Sequence, residues 1–354
     1  MNLKELGFDG WFENHTRELF RPEMKIARVT AVDRGRYMVT NEKGEIPAQL
    51  TGKFSYAAES SEELPCVGDW ILTQDFDSED FAFIHKIIPR KSFLRRKSPG
   101  KDIEFQMIAS NIDIAFIVQS CDDNFNVRRM ERYLVMVKEG NIEPMIILTK
   151  TDMIKIDILE QMISQVWNAG ISSKIIPLSN ISGDGTDQIR RVLKAGKTHC
   201  LIGSSGVGKT TLINTLLGRP EYKTKPVGET GKGKHTTVRR QLITLGNGAM
   251  LIDTPGMREL GIMSVDGRID DCFAEIKRRS AKCRFDDCGH TNEPGCAVLK
   301  AVEDGELEKE SYHNYLKLKK ESEFYEMSYT EKRKKDKAFG RFIHSEMKKR
   351  GKNR

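Results

Sequence analysis

The rhythm of hydrophobic and polar positions changes along the chain. Residues 1–23 mix charged and apolar side chains and predict a short helical arm. From Lys25 to Pro89 short apolar runs are broken by turns. The runs are Ile26–Val32, Tyr37–Thr40, Asp69–Thr73 and Phe81–Ile88, and the turns include Asp33-Arg34-Gly35, Glu42-Lys43-Gly44 and Val67-Gly68-Asp69. Several short strands at this spacing predict a small β-barrel. From Asn111 to Gly261 apolar strands alternate with amphipathic helices. The candidate strands are Ile114–Val118, Met145–Leu148, Lys174–Leu178, His199–Ile202, Gln241–Leu245 and Met250–Ile252. That alternation predicts a three-layer α/β domain with a mostly parallel sheet. From Cys272 onward the chain is rich in Cys, Lys and Glu and predicts a small helical domain with a tail. The expected divisions are an arm over 1–23, a barrel over 24–100, an α/β domain over 101–265, a cysteine-rich domain over 266–330 and a basic tail over 331–354.

Composition narrows the class. The 354 residues are 38% hydrophobic and 31% charged, enough to bury a sizeable core. There is no apolar run long enough to span a bilayer and no apolar signal segment, so the expected location is the cytoplasm, off the membrane. The formal net charge is +7, and residues 331–354 alone carry +8. Such a tail is either a solvated segment or a contact for nucleic-acid phosphates. The basic stretch Arg90–Lys97 adds charge that could seek phosphate. Seven cysteines, three of them clustered near position 290, favour free thiols plus a metal site over a disulfide framework.

The clearest chemistry lies at Gly203-Ser204-Ser205-Gly206-Val207-Gly208-Lys209-Thr210, which fits the phosphate-binding loop pattern G-x-x-x-x-G-K-[ST]. An apolar strand precedes it and an apolar-periodic helix beginning near Thr211 follows. Its glycines allow the backbone to wrap phosphate, and amides at the helix N-terminus point at the anion. Lys209 would reach the β/γ-phosphates and Thr210 would ligate Mg²⁺. Asp253-Thr-Pro-Gly256 also ends a strand, so Asp253 suits a Mg²⁺ partner and Gly256 a γ-phosphate contact. Thr149-Lys150-Thr151-Asp152 resembles the guanine-reading N-K-x-D motif. Its Asp152 would accept two hydrogen bonds from guanine, while Lys150 packs on the base. Adenine lacks that donor pair. Ser179-Asn180 resembles the loop whose backbone amide meets guanine O6.

These motifs occur out of the usual order. Guanine motifs come first, then the phosphate-binding loop, then Asp253–Gly256. The pocket can still form if the ordinary termini are joined and the chain is cut elsewhere, which defines a circular permutation. Gly228–Thr237 is Gly-rich, polar and basic, as a switch requires, and Thr236 or Thr237 could ligate Mg²⁺. Met257 stands where Ras-like proteins place a water-orienting Gln. Slow intrinsic hydrolysis is therefore expected, with His235 the in-chain candidate to assist it; a plain surface-loop role for His235 stays open. Two competing readings remain: a P-loop ATPase with an accidental T-K-T-D, separated by GTP–ATP competition, and a non-catalytic RNA-binding module that merely carries a nucleotide, separated by phosphate release.

Cys283, Cys288, His290 and Cys296 place three thiols and an imidazole within fourteen residues. Cys₃His is a standard tetrahedral zinc set with no open position, so the expected Zn²⁺ is structural. Its binding would supply folding energy to a segment with few apolar residues.

The permuted order, the switch Gly231-Lys-Gly-Lys-His-Thr-Thr237, the Cys/His cluster and Asn111-Ile-Asp113 together resemble the ribosome small-subunit-dependent GTPase A family. The resemblance runs from about Lys25 to the basic tail. It implies an OB-fold barrel, a permuted G domain and a zinc domain. It also implies a monomer that binds 16S rRNA on the 30S subunit during late maturation, with GTP hydrolysis to GDP stimulated by the subunit and aided by His235. Thr149 for Asn, Thr210 for Ser, and Lys232 and Lys234 for Arg are departures that remove no needed chemical group.

Overall fold

The computed structural model describes residues 2–33, 35–75, 81–97, 105–220, 240–254 and 268–326. Helix α1 (Gly10–Thr16) starts where Asp9 accepts the Trp11 amide. Phe8 and Phe12 from this arm pack on the buried Trp70, the Phe8 and Trp70 rings meeting edge-on at 4.8 Å.

Trp70 belongs to a five-stranded barrel. Its strands are β1 (Lys25–Asp33), β2 (Arg36–Asn41), β3 (Gly44–Leu50), β4 (Trp70–Asp75) and β5 (Ala82–Ile87), with α2 (Gly52–Ala57) between β3 and β4. β3 and β5 run parallel, and β1 pairs back onto β4 from Lys25 opposite Thr73 to Arg28 opposite Trp70. That pairing closes the cylinder and leaves the order β1-β2-β3-β5-β4-β1; the strand spacing predicted the barrel, and the family resemblance implied its OB-fold arrangement. Ala27, Val29, Val39, Ile71 and Ile84 fill its interior.

The chain leaves the barrel through a hairpin of β6 (Phe93–Lys97) and β7 (Phe105–Ser110). Three cations of the basic stretch have partners within the fold. Arg90 forks onto Asp69 with two contacts of 2.8 Å, Arg95 reaches Glu62 at 2.7 Å and also pairs with Glu139, and Lys91 pairs with Asp9. These three cations meet carboxylates, so they brace the barrel against the arm and α3.

The α/β domain contains β8 (Ile114–Ser120), α3 (Val127–Glu139), β9 (Glu143–Thr149), α4 (Ile156–Asn168), β10 (Ile175–Pro177), α5 (Thr186–Val192), β11 (Thr198–Ile202), α6 (Lys209–Leu217), β12 (Arg240–Thr244) and β13 (Met250–Asp253). The sheet order is β10-β9-β8-β11-β13-β12, parallel except for β12. Successive residues of a strand face opposite sides. Phe116 and Val118 therefore pack towards Ile189 of α5 and Leu212 of α6, while Ala115 and Ile117 pack towards Met130 of α3 and Leu159 of α4. This produces the three layers.

Barrel and α/β domain share hydrogen bonds. β12 pairs with β13 on one side and with β1 on the other, Gln241 opposite Ala31 and Arg240 opposite Val32. The fully buried Arg28 reinforces the joint. Its guanidinium donates to the Leu6 carbonyl, to the Asn111 carbonyl at 3.3 Å and to Thr198 Oγ1 at 2.8 Å, which ties arm, barrel and sheet together.

Four further helices follow, α7 (Arg268–Cys272), α8 (Ala274–Ser280), α9 (Ala297–Glu303) and α10 (Lys309–Glu326); α7 and α10 pack against α3, α8 against α7, and α9 against α8. Glu131 on α3 is buried there. It accepts from Arg128 at 2.9 Å, Ser311 at 3.3 Å and Asn314 at 2.6 Å. Burial raises its pKa to about 7 despite those donors. A carboxyl with a raised folded-state pKa binds more protons folded than unfolded, so stability falls as pH rises from the ordinary Glu value of 4.5 towards 7. E131Q is expected to flatten that part of a melting-temperature–pH curve; an unchanged slope would contradict the assignment. No described helix is long and apolar enough to cross a membrane.

Candidate nucleotide site and metal cluster

Parallel α/β sheets bind ligands beyond the carboxyl ends of their strands, where the chain's winding reverses. The chain winds outward from β8 to β9 and β10, then returns to β11 on the other side of β8. The reversal lies between β8 and β11, and the Gly203–Thr210 loop leaves the end of β11 there. Gly203 has φ +153°, and a Cβ on it would sit 2.3 Å from the Val118 carbonyl. Gly208, at φ +90°, leads into α6; a Cβ there would press on Asn180 Nδ2 at 3.0 Å. Only glycine permits this close wrapping. Lys209 is buried, and its ammonium donates to the carbonyls of Gly203 at 2.8 Å and Ser204 at 2.7 Å, over the concavity of the loop.

The guanine-type motifs arrive from β9 and β10. Thr149 is fully buried and its hydroxyl lies 2.6 Å from the Val207 carbonyl. Thr149 thus ties its loop to the phosphate-binding loop. Lys150 takes a left-handed conformation, φ +61°, and its ammonium meets Asp122 at 2.7 Å. Asp152 accepts from Ser179 Oγ at 2.6 Å, and that hydroxyl accepts the amides of Ile181 and Ser182. Asn180 donates to the Gly208 carbonyl at 3.4 Å, while its Oδ1 is buried with no hydrogen-bond partner among the described residues. Segments about sixty residues apart in sequence therefore converge on one concavity. Asp253 joins it from β13. Burial raises its pKa, and the charge of Lys209 opposes that rise. Thr254 next to it fastens to the Leu201 carbonyl at 2.6 Å. His235, Thr236, Thr237 and Gly256, with the rest of the Gly228–Thr237 switch and the tail 331–354, lie outside the described residues.

Two residues of this site were not singled out from the sequence. Asp122 and Asn124, on the loop after β8, touch Lys150 and the phosphate-binding loop respectively. The available signal was position: a polar run, Ser120–Asn124, at the end of a strand beside the winding reversal.

Cys283, Cys288, His290 and Cys296 converge as predicted, their ligand atoms all within 4.8 Å of one another. Cys283 and Cys296 sulfurs are 3.9 Å apart, and His290 Nδ1 is 3.6 and 3.4 Å from them. Tetrahedral Zn–S bonds of about 2.3 Å place sulfurs about 3.8 Å apart, so the cluster fits a metal ion of that kind. Burial and the charge of Lys319 lower the His290 pKa and favour the neutral ligand form. Its carbonyl accepts from Tyr312 of α10 at 2.7 Å, which fixes the loop on the helix. Glu293 gathers the amides of Gly289, Thr291 and Asn292.

A phosphate-binding loop at the winding reversal, with a guanine-type motif tied to it from earlier in the chain, defines a circularly permuted P-loop GTPase fold. Residues 87–263 match the family model described as RsgA GTPase. The chain is 39% identical to Small ribosomal subunit biogenesis GTPase RsgA 1 of Bacteroides thetaiotaomicron, covering 98% of both chains. It is 42% identical to RsgA 2 of Lactiplantibacillus plantarum, covering 84% of both. Among solved structures it resembles YjeQ from Thermotoga maritima, with TM-score 0.64, 25% identity, and 84% of this chain and 98% of that one covered. It shares the fold of YloQ, a circularly permuted GTPase, with TM-score 0.60 and 24% identity over 87% of this chain and 98% of that one. The chain belongs to the RsgA GTPase family and is a GTP-hydrolysing enzyme.

Proposed function

We propose that this GTPase acts in late maturation of the small (30S) ribosomal subunit, binding 16S rRNA as a cytoplasmic monomer and hydrolysing GTP to GDP and phosphate under stimulation by the subunit. The observation that carries the ribosomal part is near full-length similarity to relatives named for small-subunit biogenesis. The convergence of Thr149, Asn180 and Gly208 supports the nucleotide part.

In this reading Asp152 accepts guanine donors and Lys150 supports the base, with Ser179 and Asn180 beside it. Residues 203–208 cradle the phosphates, Lys209 contacts the β/γ pair, and Thr211 lies in the first turn of the helix beneath them. Thr210, Asp253 and Thr237 hold Mg²⁺, which neutralises charge developing on the phosphates. Gly256 senses the γ-phosphate. His235 assists hydrolysis, with the subunit completing a site whose Met257 cannot orient water. The Cys283/Cys288/His290/Cys296 cluster holds one structural Zn²⁺. Phosphate loss frees the switches and releases the protein from the subunit.

Phosphate release with purified 30S subunits, with 50S subunits and alone tests this. Turnover is expected to rise at least about tenfold with 30S only. Equal turnover in all three would remove the ribosomal reading and leave the nucleotide reading standing.

A further inference from the structure

The guanine-type motif and the phosphate-binding loop come from different strands, and the loop after β8 lies between them. Asp122 accepts from Lys150 Nζ at 2.7 Å, from Ser120 Oγ at 2.6 Å and from the Asn124 amide at 3.0 Å. Burial opposes its ionisation, but these donors together hold its carboxyl below the ordinary range. Asn124 faces the other way. Its Nδ2 donates to Ser204 Oγ at 3.0 Å and lies 3.4 Å from the Ser205 carbonyl. Two residues joined by one hydrogen bond thus grip both halves of the pocket.

The grip is buttressed from behind. Asn126 caps α3 by accepting the Arg129 amide at 2.9 Å. The Arg129 guanidinium returns to the Asn124 carbonyl and to Asn124 Oδ1 at 2.9 Å, which turns the amide group so that Nδ2 faces the phosphate-binding loop. One turn further along α3, Glu131 and Arg132 hold α10 through Asn314 and Glu321, the latter at 3.0 Å. The helix that orients Asn124 is therefore also the mount of the metal-cluster module.

We propose that Asp122 and Asn124 are positioning residues for GTP: Asp122 fixes Lys150 for the base, Asn124 fixes the loop for the phosphates, and the span between them sets the distance from base site to phosphate site. This rests on the nucleotide-site reading above. Asn124 reaches GTP only through the loop, so its effect falls on affinity and KM, while turnover at saturating GTP changes little.

The test uses full-length protein and direct titration with GTP and GDP. N124D keeps the size and the acceptor for Arg129, removes the donor, and sets a carboxylate against the Ser205 carbonyl. Its Kd for both nucleotides is expected to rise about tenfold, with KM following, kcat within about twofold and the melting temperature of the free protein unchanged. Ser204→Ala removes the acceptor of the same bond, so the double variant should bind no worse than N124D alone. Likewise D122N should weaken binding in the wild type and add nothing on a K150M background. Wild-type affinity in N124D, or full additivity in both pairs, overturns the proposal. K209A is run alongside. If K209A loses GTP and N124D does not, only this inference falls; if neither loses GTP, the nucleotide-site reading falls with it.

Discussion

C296S is expected to release the metal, melt the loop from Cys283 to Cys296 and lower the melting temperature by about 10 °C or more, while GTP binding persists in the α/β domain. The reasoning starts from what holds that loop. Its side chains are mostly polar and exposed, and Cys288, His290 and Cys296 are the buried exceptions. Three thiols and an imidazole drawn within 4.8 Å gain little from one another without a cation between them. Structural zinc supplies on the order of 10 kcal/mol of apparent binding energy to isolated fingers, and that energy is folding energy. Cys296 has a second role, because its sulfur accepts the Leu299 amide at 3.4 Å and caps α9. Serine keeps a capping oxygen, so the substitution isolates the metal from the cap. The rest of the module should stay docked by Glu131 and Arg132, which bounds the damage. Metal analysis, thermal melts and proteolysis near residue 290 read the outcome. Purified protein free of metal, with C296S melting like the wild type, would refute a structural metal.

What the sequence revealed follows how local each feature is. The phosphate-binding loop, T-K-T-D and the cysteine cluster are each written in a short stretch, and the strand–helix context of the first is equally local. The alternation that predicted three layers also survives, because each strand's two faces meet different helices. Features made by partners distant in the chain were hidden. No property of Arg240 or Gln241 announces that β12 adds to the barrel's β1. The charge of Arg90 and Arg95 suggested phosphate, yet their carboxylates sit 21 and 33 residues away, at Asp69 and Glu62. Thr149 stands where the motif has Asn, and its hydroxyl meets Val207 and supplies the inter-loop tie within the fold. Asp122 and Asn124 went unseen because a D-D-N run after a strand has no motif of its own. Their chemistry exists only once β8 is seated beside β11.

K209A is expected to weaken GTP binding at least about 100-fold. A charge-assisted hydrogen bond contributes about 1.5–3 kcal/mol, and a lysine reaching two phosphates makes two of them. Removing about 3 kcal/mol or more corresponds to that factor in Kd. The buried position of Lys209 strengthens the case, since a cation enclosed by the loop is screened little by water. The alternative is that Lys209 only organises the loop through the Gly203 and Ser204 carbonyls. Thermal melts of the nucleotide-free protein separate the two, because an organising role lowers stability whether or not nucleotide is present. A second consequence is electrostatic. Burial raises the Asp253 pKa and Lys209 restrains that rise, so loss of the cation lets it climb further. A carboxylate needed in its ionised form then protonates sooner on acidification, and the acid limb of any residual hydrolysis moves to higher pH. Isothermal titration with GTP, together with a pH profile at saturating nucleotide, measures both effects. Retained affinity in K209A would place the GTP site elsewhere in the chain.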